Sequence, residues 1–376
     1  MKLKDIFEKP ISGEWGKEVG EGEKGSKVIR TTNFTNIGRL DLSSIVERDI
    51  DSIKHENKKL KFGDIIIEKS GGSPTQPVGR VVIFEETNED VYFCNNFTSI
   101  LRPNKNIVPK FGLYLLKNLY NKKKVLKFQN KTTGIINIKL NDYLNNTEIT
   151  IPNLEVQNRI AEVLNKTQEL IDKRKEQIES LDELVKSKFI EMFGNPITNS
   201  KGWNIKLLGE VCEMKAGKNI KSTDIYEKNN GKLYPCYGGN GLRGYVRDYS
   251  HDGNIPLIGR QGALCGNVKY AKGKFYATEH AVVTNPKIEM NTYWLYYILE
   301  QLDLNRLSTG AAQPGLTVGK LKEVKLPIAP IGMQNDFENF AKQVDKLKFE
   351  MEKSLKELED NFNSLMQKAF RGELFK

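Results

Sequence analysis

IAEVLNKTQELIDKRKEQIESLDELVKSKFIEM, residues 160–192, and FENFAKQVDKLKFEMEKSLKELEDNFNSLMQKA, residues 337–369, align without a gap at an offset of 177. In the first stretch Ile160, Leu164, Thr167, Ile171, Arg174, Ile178, Leu181, Val185, Lys188 and Met192 recur at alternating steps of four and three. That spacing keeps one seam of a helix facing a partner. The offset carries the seam onto Phe337, Ala341, Val344, Lys348, Met351, Leu355, Leu358, Phe362, Leu365 and Ala369, a more apolar set. The shared register runs back through Leu144/Leu321, Ile149/Leu326, Ile151/Ile328 and Gln157/Gln334, and forward to Phe193/Phe370. The chain is one unit written twice.

Before each helix the repeat survives as pattern rather than identity. Gly63-Asp64-Ile65-Ile66-Ile67 reads like Gly253-Asn254-Ile255-Pro256-Leu257-Ile258, a turn entering an apolar strand. Phe93 to Pro103 reads like Tyr276 to Pro286, and Thr133-Gly134 stands where Thr309-Gly310 stands. The 376 residues therefore divide into a domain at 1–150, a helical segment at 151–195, a second domain at 196–327 and a second helical segment at 328–376. A helix of about 39 residues runs roughly 58 Å at 1.5 Å per residue, too long to lie across one small domain. The two helices are expected to pack largely on each other. Ile151-Pro152 and Pro327-Ile328-Ala329-Pro330 set the turns before them, and Gly194-Asn195-Pro196 stops the first.

Charge follows the same division. Residues 1–150 carry 25 basic and 19 acidic side chains and residues 194–327 carry 18 and 11, while the helical segments carry 7 against 9 and 8 against 9. The surplus of +10 thus sits in the two globular segments. Two positive modules on a near-neutral spacer suit a polyanion binder with two points of contact; a lysine-rich composition alone would also give a basic chain. Lys348, Arg174 and Lys188 interrupt the seams. Either they snorkel or pair with acids such as Asp182 or Glu359, fixing register, or they contact a partner protein.

Catalytic machinery is sparse. The three histidines, His55, His251 and His280, form no His-x-x-x-His pair, and Walker A and the Gly-x-Ser-x-Gly elbow are missing. An Asn/Asp-Pro-Pro-aromatic loop, which orients the target base in amino-methyltransferases, is also absent. Gly239-Asn240-Gly241-Leu242-Arg243-Gly244 spells Gly-x-Gly-x-x-Gly, but Tyr245-Val246-Arg247-Asp248-Tyr249 after it reads as a strand and not a helix, so it is a glycine-rich turn. Cys94, Cys212, Cys236 and Cys265 are far apart, which favours buried thiols over disulfides or zinc. The chain opens on polar sequence and no run approaches the ~18 apolar residues of a membrane span, so a cytoplasmic protein with no membrane partner is expected.

The resemblance rests on Ile151 to Ile160 entering the first helix, Phe189 to Asn195 leaving it, and Trp203 to Glu213 opening the second domain. It rests equally on Ile258-Gly259-Arg260-Gln261-Gly262-Ala263, Ala277-Thr278-Glu279-His280-Ala281 and Gly310-Ala311-Ala312-Gln313-Pro314-Gly315-Leu316. In order and spacing these resemble the specificity subunit of type I restriction-modification systems, over essentially the whole chain. Thr133 to Asn137 departs from the pattern by lacking the Gln-Pro-Gly of its counterpart. The resemblance implies an α+β fold of two target-recognition domains, mixed and mainly β, each followed by a long helix. The helices would form an antiparallel coiled coil with pseudo-twofold repeat symmetry.

It also implies a non-catalytic reader of double-stranded DNA that holds methyltransferase subunits and, through them, a restriction-translocase subunit. S-adenosylmethionine, ATP and magnesium would then sit on those partners, with no cofactor and no metal on this chain. Two unlike domains related by a pseudo-twofold would meet two unlike half-sites, so the target is expected to be bipartite and asymmetric. A rival function is a structural tether joining two protein-binding domains; a methyltransferase or nuclease in its own right is disfavoured by the missing motifs.

Arg and Lys suit guanine edges, Asn and Gln suit adenine, and hydroxyls, lysines and loop amides suit phosphates. In domain one Arg30, Thr31, Thr32, Asn33, Lys69, Ser70 and Arg80 cluster in polar turns flanking apolar strands and are the candidate contacts. In domain two they are Lys215, Lys218, Tyr237, Asn240, Arg243, Arg260, Gln261, His280 and Gln313. For each the alternative is a solvated or turn-stabilising residue, and His280, beside the apolar Ala281-Val282-Val283, is equally readable as a hydrogen-bonded core histidine.

Overall fold

The seam becomes two helices, Leu154–Phe193 and Ile331–Ala369. They belong to a computed structural model that describes residues 1–73, 76–132, 135–229, 231–262, 264–309 and 314–375, with backbone only at 131 and 132. Asn153 caps the first helix by accepting from the Val156 amide at 2.9 Å. Its last turn ends at Gly194, whose φ of +76° is the left-handed conformation of a helix stop. Trp203 Nε1 donates to the Phe193 carbonyl at 2.9 Å, satisfying one of the carbonyls the helix end leaves open.

All twenty seam positions are buried or half-buried. The chain forms two compact units, Met1–Arg174 with Ser354–Lys376, and Lys175–Lys353. In the first, Ile160 and Leu164 share a core with Met366 and Ala369; in the second, Val185 and Phe189 share a core with Phe337 and Ala341. The beginning of one helix meets the end of the other in each case, so the pair is antiparallel. Lys348 Nζ reaches both oxygens of Asp182, at 2.6 and 2.7 Å, and so crosses from the second helix to the first as the pairing reading expects. Lys188 instead pairs along its own helix with Glu191 at 2.9 Å.

The first unit has an antiparallel sheet in the order Ile11–Ser12, Thr98–Leu101, Ile65–Glu68, Val81–Ile83. A second sheet runs Val46–Arg48, Ser26–Ile29, Tyr92–Cys94, its last pair parallel, and a third runs Ser70–Gly72, Ile135–Ile138, Gln129–Thr132. The second unit repeats the first two. One sheet runs Cys212–Ala216, Ala281–Pro286, Ile255–Gly259, Val268–Ala271, and the other runs Gly241–Val246, Tyr234–Gly238, Lys274–Ala277, His251–Asp252. In that second sheet the Tyr234–Gly238 and Lys274–Ala277 strands are again parallel. Asn204–Leu207 pairs with Lys325–Ile328 to form a further ribbon. Ile65–Glu68 and Ile255–Gly259 thus hold the same place, as their sequence pattern indicates. The Thr133-Gly134 and Thr309-Gly310 correspondence falls largely outside the described residues.

Each domain also carries a helix, Pro109–Asn121 in the first and Thr292–Gln301 in the second, that packs on the long helices. Phe111 meets Phe370 at 5.3 Å between ring centroids, and Trp294 meets Phe193 at 5.9 Å. The repeat pair Phe193/Phe370 therefore does one job twice. Gln157 and Gln334 do likewise. Gln157 accepts from the Val108 amide at 2.9 Å and donates to Pro152 O at 2.9 Å; Gln334 accepts from the Asn291 amide at 2.9 Å and donates to Ala329 O at 2.7 Å. Each ties the first turn of a long helix to the start of its domain's helix, and both glutamines are 1% exposed.

Candidate nucleic-acid interface

In the second unit three turns distant in sequence converge at the strand ends. The Arg260 amide donates to His280 O at 3.0 Å, the Leu316 amide to Arg260 O at 2.9 Å, and the Thr278 amide to Tyr237 O at 2.9 Å. Gly259 must lack a side chain because a Cβ there would stand 1.9 Å from Gly239 O. Gly217 is under the same pressure from Ala277 O, and the next residue, Lys218, donates its amide to that carbonyl at 3.0 Å. Lys218, Asn240, Arg243 and Gln261 are exposed around this junction. Asn240 accepts from Asn267 Nδ2 at 3.1 Å, and Tyr237 packs edge-on to Phe275 at 5.9 Å, burial raising its phenol pKa. The Gly239–Gly244 stretch is the turn and returning strand of a hairpin.

At its centre sit Arg260, Glu279 and His280. His280 Nε2 lies 3.0 Å from Glu279 Oε1, and the imidazole is 39% exposed, so it is not a core histidine. Arg260 Nε, Glu279 Oε2 and His280 Nδ1 are buried without a hydrogen-bond partner among the described residues. Atoms of this kind cost about 1–3 kcal/mol each when left without any partner, so the cluster is polar and open to further contacts. Glu279 is a member that sequence reasoning missed; its place beside His280 in the quoted motif was the only signal. Lys215 stands apart from the cluster, paired with Glu213 at 2.6 Å, and Gln313 lies outside the described residues. His251, stacked on Phe275 at 5.4 Å, has its pKa lowered by burial and by the Lys218 charge.

The first unit builds the corresponding place from other residues. The Lys69 and Ser70 amides donate to Phe97 O at 2.9 and 3.2 Å, as the Arg260 amide does to His280 O. Phe97 is 47% exposed. The Glu14 amide donates to Cys94 O at 2.7 Å, as the Lys218 amide does to Ala277 O. Lys69 thus replaces Arg260, Phe97 replaces His280, and Glu14 replaces Lys218. Lys69 Nζ donates to Ser12 Oγ at 2.8 Å, and partial burial lowers its pKa. Lys58, at 2.5 Å, holds the Glu14 carboxyl below the usual carboxylate range. Phe97, Glu14 and Lys58 were not legible as site residues in the sequence.

Two of the candidates serve the fold instead. Asn33 is fully buried, accepting from the Arg30 amide at 2.9 Å and donating to Asp41 O at 2.9 Å, so it staples its own turn. Arg80 forks onto buried Glu68 at 2.9 and 3.0 Å and donates to Thr31 O at 3.3 Å, positioning the Thr31–Asn33 turn from behind. Arg30 donates to Ser44 O at 2.9 Å while its Nε is buried and has no partner among the described residues; Thr32 is exposed, and Thr31 and Ser70 are half-exposed. All four cysteines are buried, and burial pushes the Cys94 and Cys212 thiols up to about 11 and about 12, away from nucleophilic use. Among the described residues no helix is long and apolar enough to cross a membrane. The arrangement presents donors, acceptors and one apolar ring at the ends of two sheets, the equipment for contacting base edges and phosphates.

A family model described as the type I restriction modification DNA specificity domain matches residues 1–181 and 200–360. The Escherichia coli type I restriction enzyme EcoprrI specificity subunit is 52% identical over 130 residues, 34% of this chain and 32% of that protein. A putative type I restriction enzyme specificity subunit of Haemophilus influenzae is 32% identical over 136 residues, so each match spans about one third of the relative's length. The putative MjaX specificity subunit of Methanocaldococcus jannaschii is 23% identical over 99% of this chain and 92% of its own. The crystal structure of a type I restriction-modification S subunit from M. genitalium superposes with a TM-score of 0.60 at 19% identity, covering 98% of this chain and 95% of the other. With two matched domains and two packed long helices, this chain belongs to the type I restriction-modification DNA specificity family.

Proposed function

We propose that this chain is the sequence-reading subunit of a type I restriction-modification complex, without catalytic chemistry of its own. It reads a bipartite, asymmetric DNA target, one half with the domain at 1–150 and the other with the domain at 196–327. The observation that carries this is the pair of equivalent turn clusters with unlike side chains: Lys69 for Arg260, Phe97 for His280 and Glu14 for Lys218. One scaffold with two chemistries suits two half-sites of different sequence. Methyltransferase subunits would dock along the long helices, where Leu184, Leu347 and Phe349 are left exposed, and would bring a restriction-translocase subunit with them. S-adenosylmethionine, ATP and magnesium belong to those partners.

Sequencing of modified adenines in the host with and without this gene tests the proposal. A gapped, non-palindromic motif that disappears with the gene is expected. An unchanged modification pattern, together with a co-purified complex that shows no preference for any duplex, would leave only a protein tether.

A further inference from the structure

The helix Pro109–Asn121 ends in a lysine run that the base-reading loops do not use. Lys122, Lys123, Lys124 and Lys127 are all exposed, and among the described residues none makes an ion pair or a side-chain hydrogen bond. Lys123 holds φ at +57°, a left-handed conformation that lysine adopts at a cost. The second domain makes the same turn with Asp303 at φ +47°, and between Leu302 and Arg306 it carries one acid and one base. The turn geometry is therefore a demand of the fold, but the lysines are not. These four account for most of the six-charge surplus of residues 1–150.

Beside the run lies a cleft of about 540 Å³ whose lining includes Lys117, Lys122 and Arg371, the carboxamides of Asn36, Asn121 and Gln367, and no acidic residue. A second cleft of about 290 Å³ shares Asn36, Lys117 and Asn121 with it and continues to Arg80. Arg80 in turn holds the Thr31 turn of the reading cluster. The nearby carboxylate of Asp172 is occupied, by Arg39 at 2.6 Å and Gln168 at 2.9 Å. Exposed Lys122 and Arg371 and the carboxamides of Asn36, Asn121 and Gln367 thus adjoin the lysine run, while Lys117, its Nζ on Ile37 O, and Arg80, met by Glu68, add no free charge.

We infer that this surface is a track for the phosphate backbone of DNA, engaging the duplex on one side of the target only. Lysines are hydrated point charges that suit phosphates without reading sequence, and carboxamides complement phosphate and sugar oxygens. The inference rests on the DNA-binding reading above, but it concerns a term that does not depend on sequence. It is tested with the assembled complex on a random-sequence duplex. Replacing Lys122, Lys123, Lys124 and Lys127 by Gln should make the log-log salt dependence shallower by about 0.9 for each phosphate no longer neutralised, about 3.6 if all four engage.

Arginine at the same positions should retain the steep dependence, and the modified-adenine motif in the host should not change. An unchanged slope in a Gln variant that assembles normally would overturn the track. So would loss of methyltransferase from the purified complex, which would assign the lysines to a protein partner. If the unsubstituted complex binds random duplex steeply yet prefers no sequence, the base-reading proposal fails while the track stands. If it binds no duplex, both fail.

Discussion

Replacing Gln334 by Ala should loosen the second domain from the long helix beneath it. The side chain is 1% exposed, its Oε1 takes the Asn291 amide at 2.9 Å, and its Nε2 gives to Ala329 O at 2.7 Å. Truncation strands one buried donor and one buried acceptor at about 1–3 kcal/mol each, so a loss of about 2–6 kcal/mol is expected. Urea unfolding of the purified chain reads the total, and amide hydrogen exchange at Asn291 reads the local opening. Gln157→Ala should cost at least as much, because Gln157 also donates to Asn106 O at 3.1 Å.

Gln334→Glu separates the two bonds. It keeps the acceptor but points a carboxylate at a carbonyl, so burial pushes its folded-state pKa above the unfolded value near 4.3. A raised carboxyl pKa means the folded state binds more protons, and stability relative to wild type should fall as pH rises through and above that unfolded value. A midpoint for Gln334→Ala within experimental error of wild type, with Asn291 still protected, would refute the tether.

Arg260→Ala should weaken cognate binding by about 1–3 kcal/mol and relax preference at one position of one half-site; equal loss on random DNA would make it a phosphate contact. Arg80→Ala should instead cost about 3–5 kcal/mol of stability by stranding buried Glu68, read by thermal unfolding. Burial pushes Lys117 down to about 8 from 10.5, so the unfolded state binds more protons between those values. Stability of wild type relative to Lys117→Met should therefore rise with pH across that window, by about 3 kcal/mol in total. Inserting seven residues after both Arg174 and Met351 preserves the 3.5-residue seam and adds about 10.5 Å to each helix, close to three base pairs. The preferred spacer should lengthen or bipartite binding should collapse; undiminished binding to the original target would show that the helices do not set spacing.

The antiparallel helix pair was legible because its signal is periodic and doubled: a 3.5-residue repeat imposed on Ile160 to Met192 and again on Phe337 to Ala369 depends only on local spacing. The Gln157/Gln334 identity was equally visible, but not its purpose, since the amides it satisfies lie 49 and 43 residues away. Candidate readers were harder still. Composition alone places Asn33, Arg80 and Lys215 beside Arg30 and Arg260 as equals, yet Asn33 closes a turn, Arg80 is held by Glu68 and Lys215 by Glu213. Conversely Phe97 carries no local motif, and Glu279 and the lysines at 122–127 stand in plain stretches of sequence whose surroundings only the fold supplies. A seam is set by neighbours three and four residues away along one helix. A side chain such as Arg80 is instead engaged by a residue of another strand, Glu68, and only the tertiary fold brings the two together.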